Sequence, residues 1–206
     1  MAIRLLLTLF ALWVVPVPAA EATDPALAEI SAQLSSSAVL RGQFQQSKQI
    51  EGFRNPLRSS GRLVMAREHG VIWETQSPFP STIVLSQDQL LSVDTQGNAK
   101  VLLSGADSGA MGAVHGLLMA LIVGDFAQLS AQFAIEVQPS DQGWALLLTP
   151  TDPALQQAFA QIELSGDEFV RQVRMRESSG DRSVIDFGEL QTLPEQLSAA
   201  EAQLFD

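Results

Sequence analysis

The stretch Gly61–Pro80 reads GRLVMAREHGVIWETQSPFP, and it predicts a β-hairpin whose strand pairing ends at the prolines. Apolar side chains dominate both arms, and in the second arm Val71, Trp73 and Thr75 alternate with Ile72 and Glu74, as expected for the two faces of a pleated strand. Glu68-His69-Gly70 supplies the turn, because glycine adopts positive φ without a steric penalty. Pro78 and Pro80 cannot donate a backbone hydrogen bond to a neighbouring strand, so pairing is predicted to end there.

One cation, Arg67, stands at the end of the first arm, six residues before Trp73. The simplest interpretation is a solvated charge beside a turn. The alternative is a charge held there for a specific contact with another part of the chain. The hairpin alone leaves both interpretations open.

The first 22 residues predict a secretory signal peptide. Arg4 is followed by an apolar run and then by small residues, with cleavage expected near residues 20–23. The apolar run is shorter than the roughly 20 residues that a membrane-spanning helix needs. We therefore expect one exported domain over residues 23–206, located in the periplasm. The chain has no cysteine, so we expect no disulfide and no lipid anchor attached to a cysteine.

Composition also narrows the classes of function. The formal net charge is −11, which argues against nucleic acid and against electrostatic docking on anionic lipid. His69 and His115 are far apart and no cysteine accompanies them, so we expect no metal and no cofactor. Neither a Gly-x-Ser-x-Gly elbow nor a phosphate-binding glycine loop occurs, and we expect a protein that is not an enzyme.

Repeated short apolar runs between turn residues predict about eleven strands with four or five helices. The strands are expected at about 40–51, 59–66, 70–76, 81–86, 90–94, 99–103, 133–137, 144–149, 162–165, 169–177 and 182–187. Asp24 and Pro25 predict the start of the first helix. The predicted fold is α+β, an incomplete antiparallel β-barrel with helices covering its concave apolar side.

The segment Ala110–Val123 is strongly apolar and predicts a helix in the middle of the strand run. It is either an ordinary core helix or a lid over an apolar chamber. If side chains do not fill that chamber, an apolar ligand can, since each buried methylene contributes about 0.8 kcal/mol.

Four pieces of the sequence resemble the LolA-type periplasmic lipoprotein carriers. They are Leu40–Gln46 (LRGQFQQ), Gly61–Arg67 (GRLVMAR), Ile72–Thr75 (IWET) and the turn that contains Pro78. The likeness extends over the predicted mature chain in the order of its elements, and Gly61–Pro80 is its most specific part. The chain departs from the family pattern because Glu68 follows Arg67 where the family has proline, and because it has no tyrosine. It therefore resembles a divergent member.

The resemblance implies a carrier that shields the acyl chains of lipoproteins, or of a related acylated lipid, and moves them from the inner to the outer membrane. It implies a donor transporter in the inner membrane, an acceptor in the outer membrane and a monomeric carrier. Arg67 matches an arginine that latches the family's lid, here the segment around Ala110–Gly124. The residues expected to line the chamber are Phe44, Leu63, Met65, Trp73, Ile83, Leu85, Val93, Leu118, Leu121 and Ile122.

Two other functions stay open on the sequence alone. One is a periplasmic sensor or regulatory binding module that detects lipoprotein or lipid with the same fold. The other is a hydrolase of lipid or glycolipid, which would use carboxylates such as Glu68 and Glu74. Lipoprotein or lipid that co-purifies with the protein would support a carrier over these two alternatives.

Overall fold

The structure, a computed structural model, describes residues 25–86, 89–104 and 126–205. The predicted signal peptide and the segment Ala110–Gly124 lie outside the described residues, as do Leu118, Leu121 and Ile122. The helices are α1 (Pro25–Gln33), α2 (Phe126–Ser130), α3 (Pro153–Ala158) and α4 (Ala199–Gln203). The strands are β1 (Val39–Gln49), β2 (Leu57–Ala66), β3 (Gly70–Ser77), β4 (Ser81–Leu85), β5 (Gln89–Val93), β6 (Ala99–Ser104), β7 (Phe133–Gln138), β8 (Trp144–Pro150), β9 (Phe159–Gly166), β10 (Val170–Glu177) and β11 (Arg182–Gln191).

The strands form a single sheet in the order β6-β5-β4-β3-β2-β1-β11-β10-β9-β8-β7. Neighbouring strands are antiparallel, and β6 and β7 are the two edges, so the barrel is not closed. The first and last strands of the chain pair in the middle, with Phe44 opposite Phe187. The predicted α+β class and the incomplete eleven-stranded barrel are confirmed.

The hairpin predicted from Gly61–Pro80 is formed by β2 and β3. Leu63 pairs with Trp73, and Met65 pairs with Val71. Gly70 has φ 132°, and a Cβ there would lie 2.0 Å from the carbonyl oxygen of Leu85. Only glycine therefore fits the place where β3 leaves the turn and passes close to β4.

Helices α1 and α2 cover one half of the sheet's inner face. Leu27, Ile30 and Leu34 recur at helical spacing and are buried against the inner side chains of β7–β10. A second buried cluster lies on the inner face of the other half: Phe44, Leu63, Met65, Val71 and Leu85. Ile185 and Phe187 on β11 pack against both clusters, so β11 joins the two halves of the core.

The C-terminal segment covers part of the outer face. Leu204 and Phe205 pack against the buried cluster of Ile72, Val84 and Val93. The residues that follow α4 are therefore docked on the sheet. Among the described residues, no helix has the length and apolar character needed to cross a membrane.

Candidate binding cavity

A cavity of about 330 Å³ lies between the inner face of the sheet and the end of α1. Its volume falls within the range of small-molecule binding sites. Most of its lining is apolar: Leu34, Leu40, Leu63, Met65, Trp73, Phe159, Phe169, Val170, Val173, Met175, Ile185, Phe187 and Leu190. Because hydrocarbon can replace water there without leaving polar groups unpaired, the cavity suits an apolar ligand.

Three aromatic rings build one wall of the cavity. The rings of Phe44 and Trp73 stack with centroids 3.9 Å apart, and Phe187 meets Trp73 edge-on at 6.2 Å. Phe44 is buried beneath Trp73, while Trp73 and Phe187 line the cavity. The arrangement follows from strand pairing, which sets these three side chains on the same face of β1, β3 and β11.

Polar side chains follow the apolar lining along β1. Gln46 lines the cavity, and its Oε1 accepts a hydrogen bond from Ser59 Oγ at 3.2 Å. Lys48, two residues further on the same face, forms ion pairs with Glu177 at 2.7 Å and Asp181 at 3.5 Å. The hydrogen bond to Glu177 raises the pKa of Lys48. The lysine therefore stays charged but is matched by carboxylates.

Residues 34–38 connect α1 to β1 and form what we call the mouth strap. Ser35 N–H donates to the carbonyl of Glu168 at 2.8 Å, which ties the strap to the turn between β9 and β10. Arg67 Nη2 donates to the carbonyl of Ser36 at 2.8 Å, and Arg67 N–H donates to the carbonyl of Ala38 at 2.9 Å. The strap thus crosses the opening from one half of the sheet to the other.

The Nε of Arg67 is a further hydrogen-bond donor of this side chain. It is buried and has no hydrogen-bond partner among the described residues. A buried, unpaired guanidinium nitrogen carries a desolvation cost. The structure thus gives Arg67 a bonded partner on the mouth strap, while the predicted partner segment, Ala110–Gly124, is outside the described residues.

The family model of the outer membrane lipoprotein carrier protein LolA matches residues 35–201. The chain belongs to the LolA family. This membership makes it a binding or carrier module and confirms the resemblance seen in the sequence. No curated protein sequence matches the chain significantly.

Several solved structures are similar to this LolA-family chain at low sequence identity. A DUF1329 family protein from Desulfovibrio piger is 15% identical, with a TM-score of 0.50, and the match covers 89% of this chain and all of that one. A LolA superfamily protein from Nitrosomonas europaea is 12% identical, with a TM-score of 0.47, 87% of this chain and 95% of that one being covered. MucB in the Pseudomonas aeruginosa MucA/MucB complex is 16% identical, with a TM-score of 0.46, and the match covers 87% of this chain and 59% of that one.

The structure brings most of the described chamber residues together. Leu63, Met65 and Trp73 line the cavity, and Leu85 is buried in the same inner cluster as Phe44. Ile83 pairs with Trp73 and is half-buried on that face. Val93 does not join them, because it lies on the outer face beneath Leu204 and Phe205.

Sequence reasoning left out the other half of the lining in this LolA-family chain. The missing residues come mainly from β9, β10 and β11: Phe159, Val170, Val173, Met175, Ile185 and Phe187. Alternation along the sequence places Val173 and Met175 on one face of β10, and Ile185 and Phe187 on one face of β11. What the spacing does not show is that β11 pairs with β1, which brings these faces to the cavity.

Proposed function

We propose that this LolA-family protein carries the acyl chains of lipoproteins, or of a related acylated lipid, through the periplasm. The inner-membrane donor and outer-membrane acceptor expected from the sequence are part of this proposal. The observation that supports it is the apolar cavity of about 330 Å³ behind the mouth strap. Burial of about ten methylenes would contribute about 8 kcal/mol before the entropic costs of binding.

The mouth strap supplies a means of opening and closing the cavity. Leu34, Ser35 and Ser37 of the strap line the cavity directly. The strap is tied on one side by Glu168 and on the other by Arg67. In our proposal, Arg67 is the latch: its bond to Ser36 holds the empty carrier closed, and entry of an acyl chain displaces the strap.

The two tryptophans of the mature chain provide the test. Trp73 lines the cavity, whereas Trp144 is buried in the other cluster and donates through Nε1 to the carbonyl of Asp167 at 2.6 Å. In a Trp144→Phe variant lacking residues 1–22, a brominated acyl chain in the cavity should quench the fluorescence of Trp73. The matched control is Trp73→Phe, which keeps only Trp144 and should be quenched much less.

Equal quenching of the two single-tryptophan proteins, or none, would contradict binding in this cavity. The carrier role itself needs a second measurement, native mass spectrometry of the protein purified from periplasm. Co-purified lipoprotein or lipid supports a carrier. A co-purified protein without acyl chains would instead favour a regulatory binding module.

A further inference from the structure

A group of exposed apolar and basic side chains lies at the end of the sheet formed by the β1–β2 and β3–β4 connections. Phe53, Leu57 and Phe79 have exposed fractions of 65%, 59% and 80%. Arg54 and Arg58 are exposed between them in sequence. We call these five residues the loop patch. It is separate from the cavity, since none of the five lines it.

Strand pairing brings the two parts of the loop patch to the same place. In antiparallel strands the β1–β2 and β3–β4 connections emerge at the same end of the sheet. Ser60 on β2 pairs with Ser77 on β3. Arg58 precedes Ser60 by two residues and Phe79 follows Ser77, the last residue of β3, by two, so both lie beyond this pair towards the same end of the sheet. Arg58 and Ser77 also line one polar groove, so the two strands stay adjacent up to this point.

The loops of the patch are held in place by local restraints. Phe53 N–H donates to the carbonyl of Ile50 at 3.1 Å, and Gln49 Nε2 donates to the carbonyl of Phe53. Pro78 and Pro80 flank Phe79 and restrict its backbone. Little conformational entropy remains to be lost when the patch binds a surface, because its backbone is already ordered.

The charge of the loop patch differs from that of the molecule. Segments 50–60 and 76–82 contain Arg54 and Arg58 against one acid, Glu51, a local charge of +1 in a chain of −11. Arg41, Arg62 and Arg171 each form an ion pair with a carboxylate. Within residues 25–86, 89–104 and 126–205, Arg54 and Arg58 form none. Two exposed cations are therefore available to an anionic partner.

We propose that the loop patch docks the protein on an anionic phospholipid surface. Exposed phenylalanine and leucine side chains insert at the boundary between headgroups and acyl chains, and arginines beside them contact lipid phosphates. The overall negative charge, which argues against attraction from a distance, does not prevent this contact. At physiological ionic strength charges are screened beyond about 8 Å. The attraction to the lipid therefore depends on the charge of the docked surface and not on the charge of the whole molecule.

The test is co-flotation of protein lacking residues 1–22 with phosphatidylcholine vesicles, with and without one third phosphatidylglycerol. We expect binding only to the anionic vesicles. Arg54→Gln with Arg58→Gln should weaken it about thirtyfold, because each arginine near an anionic surface contributes about a factor of five. Phe53→Ser or Phe79→Ser should weaken it about tenfold, since an inserted aromatic side chain is returned to water.

Matched variants separate the loop patch from general effects of charge and hydrophobicity. Arg171→Gln with Arg174→Gln gives the same change of net charge elsewhere on the sheet. Leu193→Ser removes an apolar side chain of 69% exposure that follows β11, at the other end of β1. Both controls should bind anionic vesicles as the unmodified protein does. Unchanged thermal melting would show that each patch variant is folded.

Three outcomes would overturn the proposal. One is the absence of binding to anionic vesicles, and another is equal weakening by the patch and control variants. The third is patch-dependent binding to native membranes that is lost after protease treatment of those membranes, which would assign the patch to a membrane protein. None of these outcomes depends on whether the cavity binds acyl chains.

Discussion

At the scale of single residues, Arg67 joins the β2–β3 turn to the mouth strap through its bond to Ser36. We predict that Arg67→Leu lowers the free energy of unfolding by about 1–2 kcal/mol, because the loss of a hydrogen bond from a charged donor is partly offset by removal of the buried, unpaired Nε. The variant should also exchange acyl probes faster and protect the amides of residues 35–38 less. Denaturant titration, stopped-flow binding and hydrogen exchange measure these three effects.

Arg62 supplies the matched control for Arg67. It lies in β2, five residues before Arg67, and its ion pair with Glu74 is exposed, with 61% of the arginine side chain accessible. Arg62→Leu should change stability by about 0–1 kcal/mol, as for other surface ion pairs, and leave probe exchange unchanged. If Arg67→Leu behaves like Arg62→Leu, the latch proposal is wrong.

The sequence could predict some cavity residues and not others for a physical reason. Alternation along a strand tells which side chains share a face, and it correctly groups Leu63 with Met65. It does not tell which face is inner when both faces are apolar. On β5, Leu90 packs inward while Leu91 and Val93 pack outward beneath the C-terminal segment. That covering lies about a hundred residues away in the chain, so local pattern could not assign Val93.

At the scale of elements, α4 is fastened to β1 by a pair of charges. Arg41 Nε and Nη2 donate to the two carboxylate oxygens of Glu201 at 2.8 and 2.7 Å. Arg41 also donates to the carbonyls of Pro194 and Gln196. The hydrogen bond from Arg41 lowers the pKa of Glu201 from its usual 4.5 to about 2.

This pKa shift predicts a pH dependence of stability. Because the folded-state value is lower than the unfolded one, the contribution of Glu201 is complete above pH 4.5 and is lost as the pH falls towards 2. We expect Glu201→Gln to lower the unfolding free energy by about 1–3 kcal/mol at pH 7. The difference between the two proteins should shrink progressively below pH 4.5. Denaturant titrations across this range measure it.

Glu195 is the control for this experiment, since it is an exposed carboxylate of the same segment with no ion pair among the described residues. Glu195→Gln should leave the stability unchanged at both ends of the pH range. A constant deficit for Glu201→Gln down to pH 2 would show that lost packing, rather than the charge of Glu201, explains its effect.

Local signals predicted the elements better than their assembly. Asp152 and Pro153 are residue types that favour the start of a helix, and Asp152 Oδ1 accepts hydrogen bonds from the backbone N–H groups of Ala154 and Leu155 at the start of α3. The eleven strands followed from turn residues and alternation. The pairing of β1 with β11 and the docking of Phe205 were not predictable, because each joins segments more than a hundred residues apart.

At the scale of the whole molecule, the cavity lies where the two halves of the sheet meet. One half is filled by α1 and α2, and the other carries the inner cluster around Leu63. The unfilled space is a property of both halves together. Sequence could predict that a concave apolar face exists, but not its volume, which depends on how side chains from distant strands pack.

An unfilled apolar cavity should lower the free energy of unfolding while leaving room for a ligand. Val173 allows a test of this because it is buried and lines the cavity. Val173→Phe should raise the free energy of unfolding by about 1 kcal/mol, at about 24 cal/mol per Å³ filled, and raise the melting temperature by about 2–4 °C. It should weaken acyl-probe binding about tenfold, since the added ring takes the space of about two methylenes of the ligand. Val101→Phe, at a site 52% exposed on edge strand β6, is the control and should change neither quantity. Probe binding at full affinity in Val173→Phe would contradict binding of acyl chains in this cavity, because the added ring takes up part of the ligand's space.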